Sequence, residues 1–222
     1  MQGSPWRREF NSMNSTDPIA GTIDTYNTIA AAYTEKYFDD TSDFAHIDRF
    51  ISSVAPEGTI LEVGCGAGQF SKYLMTKGFT VIGVDLSESM LALARKKVPG
   101  GDFRSMDMRN LSFYDGQFDG IIAPYSLIHI PEKAVVSTLK GFNRVLRQHG
   151  ELCVLAQRGE SDHIVDEPFA PGKKVFFNFF TSLRIRNYLE IAGFTDITVE
   201  EVPCDDPYSM SDGLLYVHAR KS

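Results

Sequence analysis

The sequence predicts an α/β protein: a Rossmann-like, seven-stranded, mostly parallel sheet with helices on both faces, an antiparallel C-terminal edge hairpin and an N-terminal helical cap. From residue 59 onward, short β-branched and apolar runs alternate with helical patterns, as successive βαβ units require. The first run leads into a glycine-rich turn and a helix, and the last two runs are joined by a polar, turn-rich link short enough for a hairpin. With 222 residues there is room for one good-sized domain and a small cap, whereas two enzymatic domains would be crowded.

Strands are expected over 59–63, 80–85, 101–105, 118–124 and 150–157, each an apolar or β-branched run bounded by turn residues. Helices fall between them, over 68–77, over 88–97 with Ser87 as cap, and over 132–147 with Pro131 at a first-turn position. Next come a long loop over 158–180, a helix over 182–192 stopped by Gly193, and strands over 196–202 and 214–220. Ahead of the sheet, 23–38 and 44–54 read as helices. In the first, Tyr26, Ala30, Tyr33 and Tyr37 recur at spacings of four, three and four and so share one face. That stripe either caps the core or covers a ligand. Residues 1–12 look foreign to the rest of the chain and read as an expression-vector remnant. The expected division is then a helical cap over 13–55 and a Rossmann-like domain over 56–222 with a lid-like insertion at about 159–180.

Composition narrows the function. A hydrophobic fraction of 43% and a charged fraction of 23% suit a soluble globular chain, and no apolar run is long enough to span a bilayer. The net charge of -7 counts against a nucleic-acid partner, and the basic clusters at Arg95 to Lys97, Lys173 and Lys174, and Arg184 and Arg186 read as solvated faces. Cys65, Cys153 and Cys204 have neither metal-ligand nor disulfide spacing, so no metal is expected and a reducing cytoplasm fits best. Nothing in the sequence fixes an oligomeric state.

The informative stretch is TILEVGCGAGQF, residues 59–70, where Gly64, Gly66 and Gly68 connect an apolar strand to a helix. Glycines let the backbone turn sharply and let a ligand approach the amides of the helix start. The competing nicotinamide-dinucleotide fingerprint fails on spacing: the third glycine comes one residue early, and Gln69 stands where Gly or Ala is required. Glu62 would repel a pyrophosphate but welcome an ammonium or a sulfonium. A phosphate loop of the Walker type lacks its Gly-Lys-Ser/Thr ending. Asp85 ends the next strand 21 residues after Gly64, where a carboxylate can accept hydrogen bonds from both ribose hydroxyls. Ser87 is better placed than Asp85 to cap the following helix.

Taken together, LEVGCGAG and GVDLSESML make the chain resemble the class I S-adenosylmethionine-dependent methyltransferases, in particular their small-molecule group, from about Tyr26 to the C-terminus. The resemblance implies S-adenosyl-L-methionine as cofactor, with S-adenosyl-L-homocysteine as product. It places the turn from Gly64 through Cys65 and Gly66 to Gly68 against the methionine portion, with Glu62 near its amino group. It gives Asp85 the ribose, Leu86 the flank of the adenine with Ser87 and Met90 close by, and Asp107 and Met108 the adenine ring and its amino group. Pro124, Tyr125 and Ser126 would border the methionine portion, while Ile128 and His129 face the acceptor. His129 is the general-base candidate, because an imidazole titrates near neutral pH, and Tyr125 is its neighbour at the reacting centre. A structural imidazole is the alternative for His129. The resemblance also gives TYNTIAAAYTEKY a covering role, with Tyr26 and Tyr33 reaching the cofactor carboxylate.

The expected reaction is in-line displacement of the sulfonium methyl by an O, N, S or C nucleophile, where alignment alone can be worth about 7 to 11 kcal/mol. The segment 159–182 mixes Glu160, Asp162, Asp166 and Glu167 with Phe169, Phe176, Phe177, Phe179 and Phe180. As a lid it favours a small, partly apolar acceptor with a basic group, Phe177 among its contacts; as a surface insertion its phenylalanines only pack. Ala123-Pro124-Tyr125 departs from the Asn/Asp-Pro-Pro-Tyr/Phe motif of base-modifying amine methyltransferases. An RNA-modifying enzyme and a non-catalytic S-adenosylmethionine-binding scaffold remain the alternatives.

Overall fold

The computed structural model describes residues 18–160, 162–204 and 211–222. Residues 1–12, and Trp6 with them, lie outside the described part. Seven strands form one sheet in the order β3-β2-β1-β4-β5-β9-β8, with β1 Thr59–Val63, β2 Thr80–Asp85, β3 Asp102–Ser105, β4 Phe118–Pro124, β5 Leu146–Arg158, β8 Phe194–Pro203 and β9 Gly213–Lys221. Strands β1 to β5 pair in parallel, and β9 runs antiparallel to both β5 and β8. The terminal hairpin is therefore present, but its last strand inserts beside β5 and its first forms the edge.

The order reverses between β1 and β4, whose neighbours lead away in opposite directions. Connections diverging from that point leave a crevice beyond the carboxyl ends of the two strands, the place where open α/β sheets bind ligands. The glycine turn after β1 and Asp85 at the end of β2 meet at its edge.

Alternation along the strands builds two apolar layers. Leu61, Ile121 and Val154 face the side covered by α5 (Glu132–Val145) and α6 (Ser182–Ile191), with Val135, Leu139, Phe142, Ile185 and Leu189 fully buried. Their neighbours Ile60, Ile122, Cys153 and Leu155 face the side covered by α2 (Phe44–Ile51) and α3 (Gln69–Thr76), through Ile47, Phe50, Phe70 and Leu74. Helix α2 thus belongs to the sheet's own core. Between β2 and β3, α4 (Glu88–Lys97) starts at Ser87, whose hydroxyl accepts from the Met90 amide at 3.2 Å as a capping serine should.

The first helix begins five residues before the expected 23 and the second ends three before the expected 54, and three further elements differ more in kind. The segment after β5 is not a structureless loop but a separate two-stranded hairpin, β6 Asp162–Asp166 against β7 Lys174–Asn178. Its run of phenylalanines and valine has the composition of strand, and the charged stretch between hid the second period. Helix α5 stops at Val145 and β5 begins at once, because Leu146 pairs with Phe118 before the register shifts at Gly120. Pro131 occupies the cap position of α5 and not its first turn.

Helix α1 (Pro18–Tyr37) lies over the crevice, stitched to the hairpin. The Thr25 hydroxyl donates to the Lys174 carbonyl at 2.9 Å, the Phe176 amide donates to the Thr22 hydroxyl at 3.2 Å, and Lys173 pairs with Asp24. The Ser87 hydroxyl donates to Asn27 Oδ1 at 2.8 Å, tying α1 to α4. Among the described residues no helix is long and apolar enough to cross a membrane.

Candidate functional site

Beneath α1 and the hairpin lies a cavity of about 530 Å³, floored by the ends of β1, β2 and β4. Of the residues expected from sequence, Tyr26, Tyr33, Glu62, Gly64, Cys65, Gly66, Asp85, Leu86, Ser87, Met90, Asp107, Met108, Pro124, Tyr125, Ile128, His129 and Phe177 all line it. Gly68 does not. It is the left-handed residue (φ 83°) that starts α3, and a Cβ there would press on Val98 and Phe103 at 3.0 and 3.1 Å, so its smallness serves helix packing.

The turn after β1 is held by the neighbouring strand: Gly64 and Cys65 both donate amides to the Val84 carbonyl, at 2.7 and 3.0 Å. Gly64 has φ 69°, and a Cβ would sit 2.3 Å from that of Ser126, so only glycine fits. Ser126 closes the switch point by donating its hydroxyl to the Val63 carbonyl at 2.6 Å. At Gly66, by contrast, a Cβ would meet nothing within 4 Å, which marks open space above the turn.

Asp85 points back at this turn. Its Oδ2 accepts from the Gly66 amide and its Oδ1 from the Ser87 amide, each at 2.8 Å. Burial raises the carboxyl's pKa, and the amides of Ser87, Gly66 and Leu86 oppose that rise. The two oxygens keep further lone pairs for donors arriving from the cavity, as paired ribose hydroxyls would. Glu62 is less well compensated. One oxygen accepts from the Ser71 hydroxyl, the other, Oε1, has no partner, and burial pushes the carboxyl up to about 8. A buried acceptor without a donor costs about 1 to 3 kcal/mol, and an ammonium group would satisfy it. The residues present therefore fit S-adenosylmethionine.

Asp107 is committed elsewhere than expected. Arg109 grips it with backbone amide and guanidinium, including Nε contacts of 3.0 and 2.8 Å, which leaves little of the carboxylate for an adenine amino group. Leu86, Met106 and Met108 supply the flat apolar wall at that end.

At the opposite wall, His129 bridges floor and roof. Its Nδ1 lies 2.9 Å from the Phe176 carbonyl and its Nε2 lies 3.0 Å from the Tyr26 hydroxyl. A carbonyl can only accept, so Nδ1 carries the proton, Nε2 is the acceptor, and Tyr26 donates to it. Burial lowers the imidazole to about 4, opposed by the Phe176 carbonyl, so it is neutral at physiological pH. Burial and the neighbouring Tyr33, Glu167 and Asp85 raise the Tyr26 phenol. The aromatic stripe continues with ring centroids of Tyr26 and Tyr33 at 5.7 Å, Tyr33 and Tyr37 at 4.7 Å, and Tyr37 and Phe169 at 6.3 Å.

Sequence reasoning missed a third cluster. Asp43 stands at the cap position of α2 but makes no side-chain cap; its Oδ1 accepts instead from the hydroxyls of Tyr125 at 3.0 Å and Tyr216 at 2.7 Å. Tyr125 holds a left-handed φ of 53°, a strained conformation for a tyrosine, and burial with the charge of Asp43 raises its phenol. An acid before a helical run looks like a cap, which concealed Asp43. Nearby, Gln157 Oε1 is buried without a partner. Of the four acids in the insertion only Glu167 lines the cavity, and of its five phenylalanines only Phe169 and Phe177 do. Phe176, Phe179 and Phe180 are packed below.

The profile of the methyltransferase-domain family matches residues 60–150. The phosphatidylethanolamine N-methyltransferase of Cereibacter sphaeroides is 32% identical over 178 residues, which cover 73% of this chain and 79% of that protein. YqeM of Bacillus subtilis, a methyltransferase by name, is 40% identical over 124 residues, covering 52% of this chain and 50% of its own length. The chain spans about half the length of the first curated relatives it matches. Among solved structures, the 1,6-didemethyltoxoflavin-N1-methyltransferase of Burkholderia thailandensis, with bound 1,6-didemethyltoxoflavin and S-adenosylhomocysteine, superposes with a TM-score of 0.76 at 17% identity. It covers 96% of this chain and 93% of that one. The chain belongs to the class I S-adenosylmethionine-dependent methyltransferases.

Proposed function

We propose that the chain transfers a methyl group from S-adenosylmethionine to a small-molecule acceptor. The observation that carries this reading is the juxtaposition, in one cavity, of the Gly64 to Gly66 turn, Asp85 and the unpartnered Glu62 oxygen with a separate aromatic wall beyond Tyr125. Asp85 would hold the ribose, Glu62 the ammonium, and Leu86, Met106 and Met108 the adenine. When bound, the sulfonium supplies an electrophilic methyl group.

The chain's own residues then align and dehydrate. Helix α1 and the hairpin close the cavity from above, and Tyr125 and Ser126 fix the floor where β4 ends. His129 and Tyr26 act as positioning residues: with the imidazole pushed down to about 4 and the phenol raised, proton transfer from Tyr26 to His129 runs uphill. Their bond locks the roof to the floor.

We also read 56–222 as the catalytic domain and α1 with the 159–180 hairpin as its cover. Net charge of -7 and an acid-lined cavity favour a small molecule over nucleic acid, and three free thiols support a cytoplasmic location. Calorimetry with S-adenosylhomocysteine tests the reading. Binding at one site per chain, followed by transfer of a labelled methyl to a metabolite pool, is expected; no binding would end it.

A further inference from the structure

The walls of the cavity carry one sign of charge. Asp40, Asp43, Glu62, Asp85, Asp107 and Glu167 line it, and no lysine or arginine among the described residues does. Three of these are compensated: Asp107 by Arg109, Asp85 by backbone amides, and Glu62 by its raised proton affinity. The Asp40 carboxylate accepts from the Ser42 amide at 2.9 Å, in an exposed position, and Asp43 and Glu167 are not compensated. Asp43 is bonded only by two phenols, and Glu167 Oε1 only by the Phe169 amide at 3.0 Å; neither has a cation within salt-bridge distance among the described residues.

These two carboxylates face the same space from opposite elements. Burial is the main cause that raises the phenols of Tyr26 and Tyr33, but Glu167 adds to both and Asp43 to Tyr33, so the two carboxylates' fields converge over the tyrosine stripe. Gln157 Oε1, buried without a partner, is an unfilled acceptor in the same wall. On their outer side, Tyr37 and Phe169 already hold a cation: the Lys36 ammonium lies 4.9 and 5.3 Å from their centroids. Carboxylates, ring faces and unfilled acceptors all call for a cation rich in N–H donors. A phosphate or carboxylate placed there would meet uncompensated negative charge, and no lysine or arginine among the described residues lines the cavity to offset it.

Resting on the methyltransferase reading, we propose that the acceptor is a small amine, held as its ammonium between Asp43, Glu167 and the rings of Tyr33 and Tyr37, and that phosphorylated or carboxylated amines are rejected. The ammonium sheds one N–H proton to solvent before reaction. The freed lone pair then forms the N–C bond as the S–C bond breaks. The S–C electron pair stays on sulfur, leaving a neutral thioether and an N-methylammonium product.

The test uses the full chain and matched acceptors: ethanolamine and phenethylamine, their phosphorylated or carboxylated counterparts phosphoethanolamine and phenylalanine, and the oxygen isostere 2-phenylethanol. Labelled-methyl transfer is expected with at least one amine, and with its anionic counterpart at a kcat/KM lower by about tenfold or more. Glu167→Gln and Asp43→Asn should each raise KM for the amine about tenfold while S-adenosylhomocysteine affinity stays within about twofold. Transfer to 2-phenylethanol alone, equal use of phosphoethanolamine and ethanolamine, or unchanged KM in both variants would overturn the proposal. So would cofactor binding without transfer to either amine. Failure to bind S-adenosylhomocysteine would instead sink the methyltransferase reading beneath it.

Discussion

The Tyr26 hydroxyl donates to His129 Nε2 at 3.0 Å, joining the covering helix to the loop after β4. Replacing Tyr26 by Phe leaves Nε2 buried and unpartnered, so Tyr26→Phe should cost about 1 to 3 kcal/mol of stability in urea denaturation. As a positioning pair, the two should show no pH–rate inflection of their own between about pH 6 and 8, and nitrogen NMR of His129 should report a proton on Nδ1. An inflection near neutrality that disappears in His129→Gln would restore the imidazole as general base.

Asp85 already receives two amides, so its loss affects both ligand and turn. Asp85→Ala should weaken S-adenosylhomocysteine binding by about 1 to 3 kcal/mol in calorimetry, with the circular dichroism spectrum retained. Unchanged affinity would remove it from the site.

Glu62 carries a proton at pH 7 in the free protein, because its carboxyl is raised to about 8. The folded state then binds a proton that the unfolded chain, near 4.5, has released. The stability linked to this group is full below about 4.5 and is lost as pH rises through about 8. An arriving ammonium reverses the preference. Binding of S-adenosylhomocysteine at pH 7 should release close to one proton, read from calorimetry in buffers of different ionisation enthalpy. Glu62→Gln should abolish the release, and a release that persists would place the titrating group elsewhere.

Gly64 tolerates no side chain, given its φ of 69° and the 2.3 Å approach to Ser126. Gly64→Ala should destabilise by about 1 to 3 kcal/mol from backbone strain, with a further clash, and lose cofactor binding. Gly66→Ala meets no atom within 4 Å but shares the left-handed strain, with φ 50°, so it should destabilise by about 1 to 3 kcal/mol without a clash and also weaken ligand binding.

How far the sequence reached depended on range. Strands β1, β2 and β4 matched to the residue, because their signals are local: β-branched runs ended by glycine, proline or a capping serine. The floor was legible for the same reason, Glu62, Gly64 and Asp85 lying within one βαβ unit. Asp43 and Tyr216 were not, since their bond joins residues 173 positions apart. The bond from Arg109 to Asp107, two residues apart, was not legible either, because no spacing rule identifies the pair. Gly68 shows the converse, a motif glycine whose neighbours Val98 and Phe103 come from later in the chain.

The cavity draws its two surfaces from different stretches of chain. Residues 62–129 build nearly all of the floor and fall inside the 60–150 family match, whereas the roof comes from 19–43 and 157–177 with Leu214, outside it. Grafting a foreign roof onto this floor, or this roof onto another member's floor, is therefore a route to exchange acceptors while the methyl donor stays the same.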